Sequence, residues 1–294
     1  MGLNLSKLFD WLRRGPGKDF LGEYRILGEP IADGPMSVVF RAVGLPMGSA
    51  ETADRLVAIK VLKDSAARMA RRLQTELGMP WEGERATQLV HPNVVRTIRC
   101  GCESGTFYMV MEFVGGAPLS SLIYEGSPLL DGRRIAIIRQ VAQGLAYIHG
   151  SGIIHRDICP KNVLVDSTGH AKLIDFGVAI SAGDRLQDTG RRTGRPSYMA
   201  PELIRDNVFD VRTDIYALGV SMYELCTGAK PLAGADRYEK MRLHLFSSPN
   251  PPADVNRRVP PALSDLIIGC LVKDPGRRVQ SADDLLRELP NERY

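Results

Sequence analysis

Two short polar clusters constrain this chain more than anything else in it. His155-Arg156-Asp157-Ile158-Cys159-Pro160-Lys161-Asn162 offers a carboxylate and, five residues on, an amide. Asp175-Phe176-Gly177, thirteen residues after Asn162, offers a second carboxylate. Between them, Val163-Leu164-Val165 and Lys172-Leu173-Ile174 are short apolar runs on either side of Ser167-Thr168-Gly169. That is the pattern of two strands joined by a glycine-containing turn. Such a hairpin returns the chain on itself, so Asp157, Asn162 and Asp175 converge at one end of it. Two carboxylates and an amide suit a hydroxyl-bearing substrate and a hard cation such as Mg²⁺, which takes oxygen ligands and keeps some of its water.

Length and charge narrow the frame around that site. At 294 residues the chain has room for two lobes sharing a cleft. The net charge of +4 is mild and the basic residues are scattered. A polyanion binder needs a dense basic stripe, so nucleic acid is not expected as a partner. The five cysteines are odd in number and widely spread, and no secretory pattern opens the chain, which fits a reduced, cytosolic setting. Cys100-Gly101-Cys102 lacks the second pair of a zinc site and reads as strand or turn packing. No apolar run approaches the roughly 20 residues of a membrane-spanning helix.

The chain opens with an amphipathic stretch. Leu5, Leu8, Phe9 and Leu12 fall on one helical face, flanked by Lys7, Arg13 and Arg14, and Gly15-Pro16-Gly17 ends the run. Gly2 and Ser6 also fit an N-terminal acylation pattern. Residues 3–14 thus suit packing on the body of the protein, a partner, or peripheral contact with a membrane. From Tyr24 the pattern turns to strands. Ile31-Ala32-Asp33-Gly34-Pro35-Met36-Ser37-Val38-Val39 is followed by Leu56-Val57-Ala58-Ile59-Lys60-Val61, where Lys60 shares a face with Ala58. A lysine on an otherwise apolar strand needs a compensating anion. Thr106 to Val114 is a further apolar strand running into Gly115-Gly116. Ile135, Ile138, Val141, Ala142, Leu145 and Ile148 then predict a core helix ending by Gly150-Ser151-Gly152. After Asp175-Phe176-Gly177 comes a polar stretch rich in Arg and Gly, then Ala200-Pro201-Glu202, Asp214-Ile215-Tyr216-Ala217-Leu218-Gly219 and Asp274-Pro275-Gly276-Arg277-Arg278.

This ordered set resembles the eukaryotic-type (Hanks-type) protein kinase family, whose motifs include V-A-I-K, H-R-D-L-x-x-x-N, D-F-G and A-P-E. The resemblance runs from about Tyr24 to Leu289. It implies an α+β, two-lobed protein-kinase fold: a small, mainly antiparallel β lobe with one helix over about 21–113, and a larger helical lobe over about 114–293. Residues 1–20 would be an extension. It also implies ATP with Mg²⁺ (or Mn²⁺) and protein substrates bearing Ser or Thr. Under it, Lys60 holds the α- and β-phosphates, Asn162 and Asp175 hold the metal, and Asp157 orients the acceptor hydroxyl and takes its proton. Ile31, Gly34, Val39 and Ala58 border the nucleotide, Met111 gates the pocket behind adenine, and Glu112 and Val114 meet the adenine edge. The glutamate paired with Lys60 is Glu82, counted back from His91-Pro92-Asn93, with Glu84 and Glu76 as rivals. His155 packs beneath Phe176, and Arg278 pairs with Glu202. Arg156 receives a phosphate from the activation segment, with Thr193 and then Thr189 as acceptors.

The chain departs from the family on both sides of the reaction. Ala32 and Ser37 stand where the phosphate lid has glycines, and Pro35 removes a backbone donor. Cys159 stands where Ser/Thr members carry a lysine, and Arg195 where they carry a threonine. Lys161 and Arg195 are the cations available to replace the missing charge. The expectation is therefore an active Ser/Thr protein kinase regulated on its activation segment, with a pseudokinase-like scaffold of weak or no phosphotransfer as the alternative. A small-molecule kinase of related fold is disfavoured by the A-P-E segment and Arg278.

Overall fold

The computed structural model describes residues 19–45, 55–78, 80–103, 105–175, 180–181, 195–206, 208–291 and 294. The amphipathic run at 3–14, Phe176, Gly177, Thr189 and Thr193 lie outside them. The chain divides into two compact units, Met1–Val90 with Val95–Val114, and His91–Val94 with Gly115–Tyr294. The first is mainly antiparallel sheet and the second mainly helix, an α+β arrangement. No described helix is long and apolar enough to cross a membrane.

The first unit is built on strands β1 (Asp19–Phe20), β2 (Tyr24–Ile26), β3 (Ala32–Asp33), β4 (Ser37–Gly44), β5 (Leu56–Leu62), β6 (Thr97–Glu103) and β7 (Thr106–Glu112). Their spatial order is β1-β2-β4-β5-β7-β6, with β3 paired to β4. Alternation decides which face is covered: Val38, Phe40 and Ala42 of β4 join Tyr24, Ile26, Ile59 and Tyr108 in one core. β5 is buried from Val57 onward on both faces, which is why it reads as an apolar run broken only by Lys60. Arg99 of β6 bonds both carboxylate oxygens of Glu23 in the turn between β1 and β2, at 2.8 and 2.6 Å. The two ends of the strand order therefore meet, and the sheet is strongly curled. The helix expected in this unit comes in two pieces, α1 (Asp64–Leu77) and α2 (Glu82–Ala86). Gly78 ends α1 in the left-handed conformation, φ 62°, which glycine adopts without a Cβ penalty.

The second unit holds α3 (Leu119–Tyr124), α4 (Arg134–Gly150), α5 (Pro201–Asp206), α6 (Val211–Thr227) and α7 (Arg237–Phe246), followed among the described residues by helical segments Pro252–Val255, Pro261–Cys270 and Ala282–Glu288. All six residues assigned to the core face of α4 are buried. Gly144 adds a close approach that hydrophobic periodicity does not reveal: a Cβ there would lie 2.7 Å from the Asn93 carbonyl oxygen. That carbonyl accepts from Leu173 N at 2.8 Å, while Asn93 Nδ2 donates to Ala171 O at 2.9 Å. His91–Val94 is thus stitched to the hairpin that carries Asp175. Glu202 and Arg278 form the fork expected of them, at 2.7 and 2.8 Å, with the Arg278 side chain fully buried. Arg278 also donates to the Arg212 carbonyl at 2.7 Å, so the pair ties the start of α5 to the start of α6.

Candidate active site

The hairpin read from the sequence forms from β10 (Val163–Asp166) and β11 (Ala171–Leu173), antiparallel with Val163 opposite Leu173. β8 (Gly116–Pro118) flanks β10, and β9 (Ile153–Ile154) precedes the polar loop and pairs with β12 (Ile180–Ser181). Asp166 sets the turn: its Oδ1 accepts from Thr168 N at 2.8 Å and His170 N at 3.0 Å, the side-chain turn that Asp favours. At the other end Ile174 N donates to Asn162 O at 2.9 Å, which brings Asp175 beside Asn162. Asp175 itself takes a positive φ of 69°.

Asp214, at the start of α6, holds the loop that bears Asp157. Its carboxylate is completely buried and accepts from His155 N at 2.8 Å, Arg156 N at 2.7 Å and His149 Nε2 at 2.9 Å. Burial alone would raise its pKa, but these donors outweigh burial and hold the carboxyl below the usual range. Arg156 sits between these contacts with φ 66°, a strained backbone that the two amide bonds stabilise. Its guanidinium lies over the Phe209 ring, 4.4 Å from the centroid. His155 is fully buried.

Asp157 is gripped from two sides. Asn162 Nδ2 donates to its Oδ2 and to its main-chain oxygen, both at 2.8 Å. Arg195 Nε donates to Oδ1 at 3.2 Å from 38 residues away. Burial pushes the Asp157 carboxyl above the usual range and Asp175 adds to this, while Arg195 and Asn162 pull the other way. Because both hydrogen bonds from the Asn162 amide nitrogen go to Asp157, the planar amide turns its Oδ1 the other way. That amide oxygen and the Asp175 carboxylate are both hard oxygen donors, the chemistry that suits Mg²⁺ or Mn²⁺. Of the two candidate replacement cations, the structure brings Arg195 to Asp157; Lys161 lies on a short turn, exposed to solvent. Cys159 is buried and its thiol is pushed up to about 11 by that burial, which makes it a packed, inert thiol.

The first unit supplies a separate cluster. Lys60 of β5 and Glu82 of α2 are 6% and 9% exposed, and Lys60 Nζ meets Glu82 Oε1 at 2.5 Å. The rival glutamates are occupied elsewhere. Glu84 accepts from Trp81 N at 3.1 Å and Gln74 Nε2 at 2.7 Å, and Glu76 pairs with Arg72 on the surface. Val39 lies opposite Lys60, and Ala58 opposite Met111, in the strand registers. Ile31 N donates to Val39 O and Gly34 N to Ser37 O, each at 2.9 Å, so the residues around Pro35 form a closed turn. Glu112 pairs through its backbone and side chain with Arg96, and Glu112 and Val114 are half-buried.

Two side chains of interest escaped the sequence reading. Glu224 of α6 accepts a short hydrogen bond from the Tyr198 hydroxyl and pairs with Lys230 at 3.5 Å. Trp81 is buried beside Glu82. The available signal for Glu224 was one carboxylate deep in a helix that is otherwise almost entirely buried.

Comparison with known proteins bears on this geometry. A model of the protein kinase domain matches residues 27–289. The chain is 34% identical over 277 residues to a probable serine/threonine-protein kinase of Clostridium perfringens, covering 93% of this chain and 38% of that protein. It is 34% identical over 288 residues to a serine/threonine-protein kinase of Myxococcus xanthus, covering 93% and 50% respectively. It is 33% identical over 277 residues to the serine/threonine-protein kinase PrkC of Bacillus subtilis, covering 93% and 41%. The chain therefore spans about two fifths to one half of the length of these relatives.

Proposed function

This chain belongs to the protein kinase domain family, and on that premise we propose that it transfers the γ-phosphoryl group of ATP to serine or threonine hydroxyls of protein substrates. The observation that carries the reading is the setting of Asp157. It is a largely buried carboxylate on a loop tied to Asp214, oriented by Asn162 and Arg195. Phosphoryl transfer asks a protein chiefly for positioning and charge neutralisation. Asp157 accepts the hydroxyl proton as the acceptor oxygen attacks. Arg195 supplies the cation that Cys159 does not, and its charge partly offsets the burial that raises the Asp157 carboxyl. Lys60, fixed by Glu82, meets the α- and β-phosphates. Ile31, Gly34, Val39, Ala58, Met111, Glu112 and Val114 are assigned to the nucleotide by their match to the family pattern. Asn162 and Asp175 would hold a divalent cation, which would supply charge neutralisation at the phosphates. The serine/threonine preference is supported by the names of the relatives.

Regulation is assigned to the activation segment. Arg156 and Arg195 line one small cavity with Tyr198 and Thr213. A phosphate on Thr193, or second on Thr189, brings about −1.5 to −2 charge to two guanidinium groups. One observation favours a second reading, a scaffold with weak or no phosphotransfer: Arg195 already engages the carboxylate that must accept a proton. Incubation with Mg-[γ-³²P]ATP, followed by mapping of phosphosites by mass spectrometry, separates the two. The transfer reading expects phosphoserine or phosphothreonine, including Thr193 or Thr189, and loss of activity in Thr189→Ala/Thr193→Ala. Bound ATP with no label anywhere supports the scaffold. Full activity in the double variant, with no phosphate on the wild-type segment, removes the regulatory assignment.

A further inference from the structure

The acidic partner of Lys60 does not ride in the middle of a long helix. α1 stops at Leu77, Gly78 turns the chain out of it, and Pro80 follows. Glu82 is then the first residue of a helix only five residues long. A helix that short does not sustain itself, because nucleation costs more than so few hydrogen bonds return. Something outside it must hold it, and Trp81 is in place to do so. The indole is 2% exposed and meets the Phe107 ring of β7 edge-on, 5.1 Å between centroids and 74° between planes. It also folds back over Gly83: a Cβ on Gly83 would come within 2.4 Å of Trp81 Cη2 and 2.7 Å of Cys100 Cβ on β6. Trp81 N donates to Glu84 Oε2 at 3.1 Å, and Glu84 accepts from Gln74 of α1. The Gln74 bond from α1 thus runs to Glu84, whereas the residue next to Glu82 is anchored on the β6–β7 hairpin.

We propose that Trp81 is the positioning residue for the Lys60–Glu82 pair. Wedged among Phe107, Gly83 and Cys100, the indole fixes the start of α2 on the sheet, and so fixes the Glu82 carboxylate where Lys60 Nζ meets it. A buried ion pair is favourable only when its geometry is held closely, and a lysine left with a displaced partner carries a buried charge poorly compensated. The inference rests on the reading that Lys60 serves the nucleotide. It adds that the register of the lysine is set by the sheet through Trp81 rather than by α1, and that Gly83 is required because any side chain there displaces the indole.

The test uses the full chain carrying Trp81→Ala, Trp81→Phe or Gly83→Ala, each alone and combined with Glu82→Gln. Dissociation constants for Mg-ATP are measured by calorimetry, and kcat and KM are measured separately for ATP and for a protein acceptor. Trp81→Ala and Gly83→Ala should lower kcat/KM for ATP by about tenfold, on the scale of a small misplacement of a binding group. The acceptor KM should stay near its original value, and Trp81→Phe should keep most of the activity. In the Glu82→Gln background the same substitutions should add almost nothing, since they act through the residue already removed. If Trp81→Ala does not fold, Gly83→Ala carries the comparison. Penalties of equal size with and without Glu82, or an equal loss for the acceptor, would overturn the proposal in favour of a purely structural tryptophan. If Glu82→Gln alone changes neither ATP binding nor kcat/KM for ATP, the reading of Lys60 falls, and this proposal with it.

Discussion

At the scale of single residues, the site turns on how Asp157 is held. One oxygen faces the neutral amide of Asn162 and the other the half-exposed guanidinium of Arg195. The two donors do different work: the amide fixes orientation within the loop, and the cation offsets the burial that raises the carboxyl's pKa. Arg195→Ala should therefore reduce kcat by roughly 10- to 100-fold, as expected for one misoriented catalytic group, with little change in ATP affinity. Steady-state kinetics alongside calorimetry check this, and a rise in turnover would mean that the guanidinium holds the base off. The sequence showed that Cys159 and Arg195 depart from the family pattern together. It left Lys161 and Arg195 equally available, because which cation arrives depends on a contact across 38 residues and on a turn that leaves Lys161 in solvent. Glu82 was legible only through spacing to His91-Pro92-Asn93, and its wedge Trp81 was not legible at all, since nothing in a lone tryptophan names what it packs against.

At the scale of elements, legibility followed periodicity. α4 and the β10–β11 hairpin were readable because one has a clean apolar stripe and the other two short apolar runs around a turn. β5 was readable from an apolar run broken only by Lys60. The interruption between α1 and α2 was signalled by Gly78 and Pro80, and the count back from His91-Pro92-Asn93 put the ion-pair glutamate on the piece after it; that this piece is only five residues long was not signalled. The turn between β3 and β4 is closed by the Gly34–Ser37 backbone bond, and at its tip Pro35 has no N–H to offer a phosphate. Pro35→Gly should tighten ATP binding by up to about 1 kcal/mol, the scale of one modest hydrogen bond. Isothermal titration with Mg-ATP reads this directly, and an unchanged or weaker affinity would show that this turn makes no backbone contact with the phosphates.

At the scale of the whole molecule, the contacts of the helical unit converge on holding one loop still. Asp214 on α6 holds the backbone of His155 and Arg156, Arg278 and Glu202 tie α5 to that same helix, and Asn93 secures the hairpin that returns Asp175 to Asn162. These are long-range contacts between buried charged or polar groups, each satisfied by several partners, which is the condition under which such groups stabilise a fold. What they hold in common is the position of Asp157 relative to its neighbours, and the central claim is that this carboxylate takes the proton of the acceptor hydroxyl. The most direct test is Asp157→Asn, which preserves size, keeps one accepting oxygen for Asn162 or Arg195, and removes the base. The account predicts that γ-phosphoryl transfer to protein falls by about 10²- to 10⁴-fold, the range of a lost general base, while the dissociation constant for Mg-ATP is unchanged. Near-wild-type turnover in Asp157→Asn, with ATP bound as before, would contradict it.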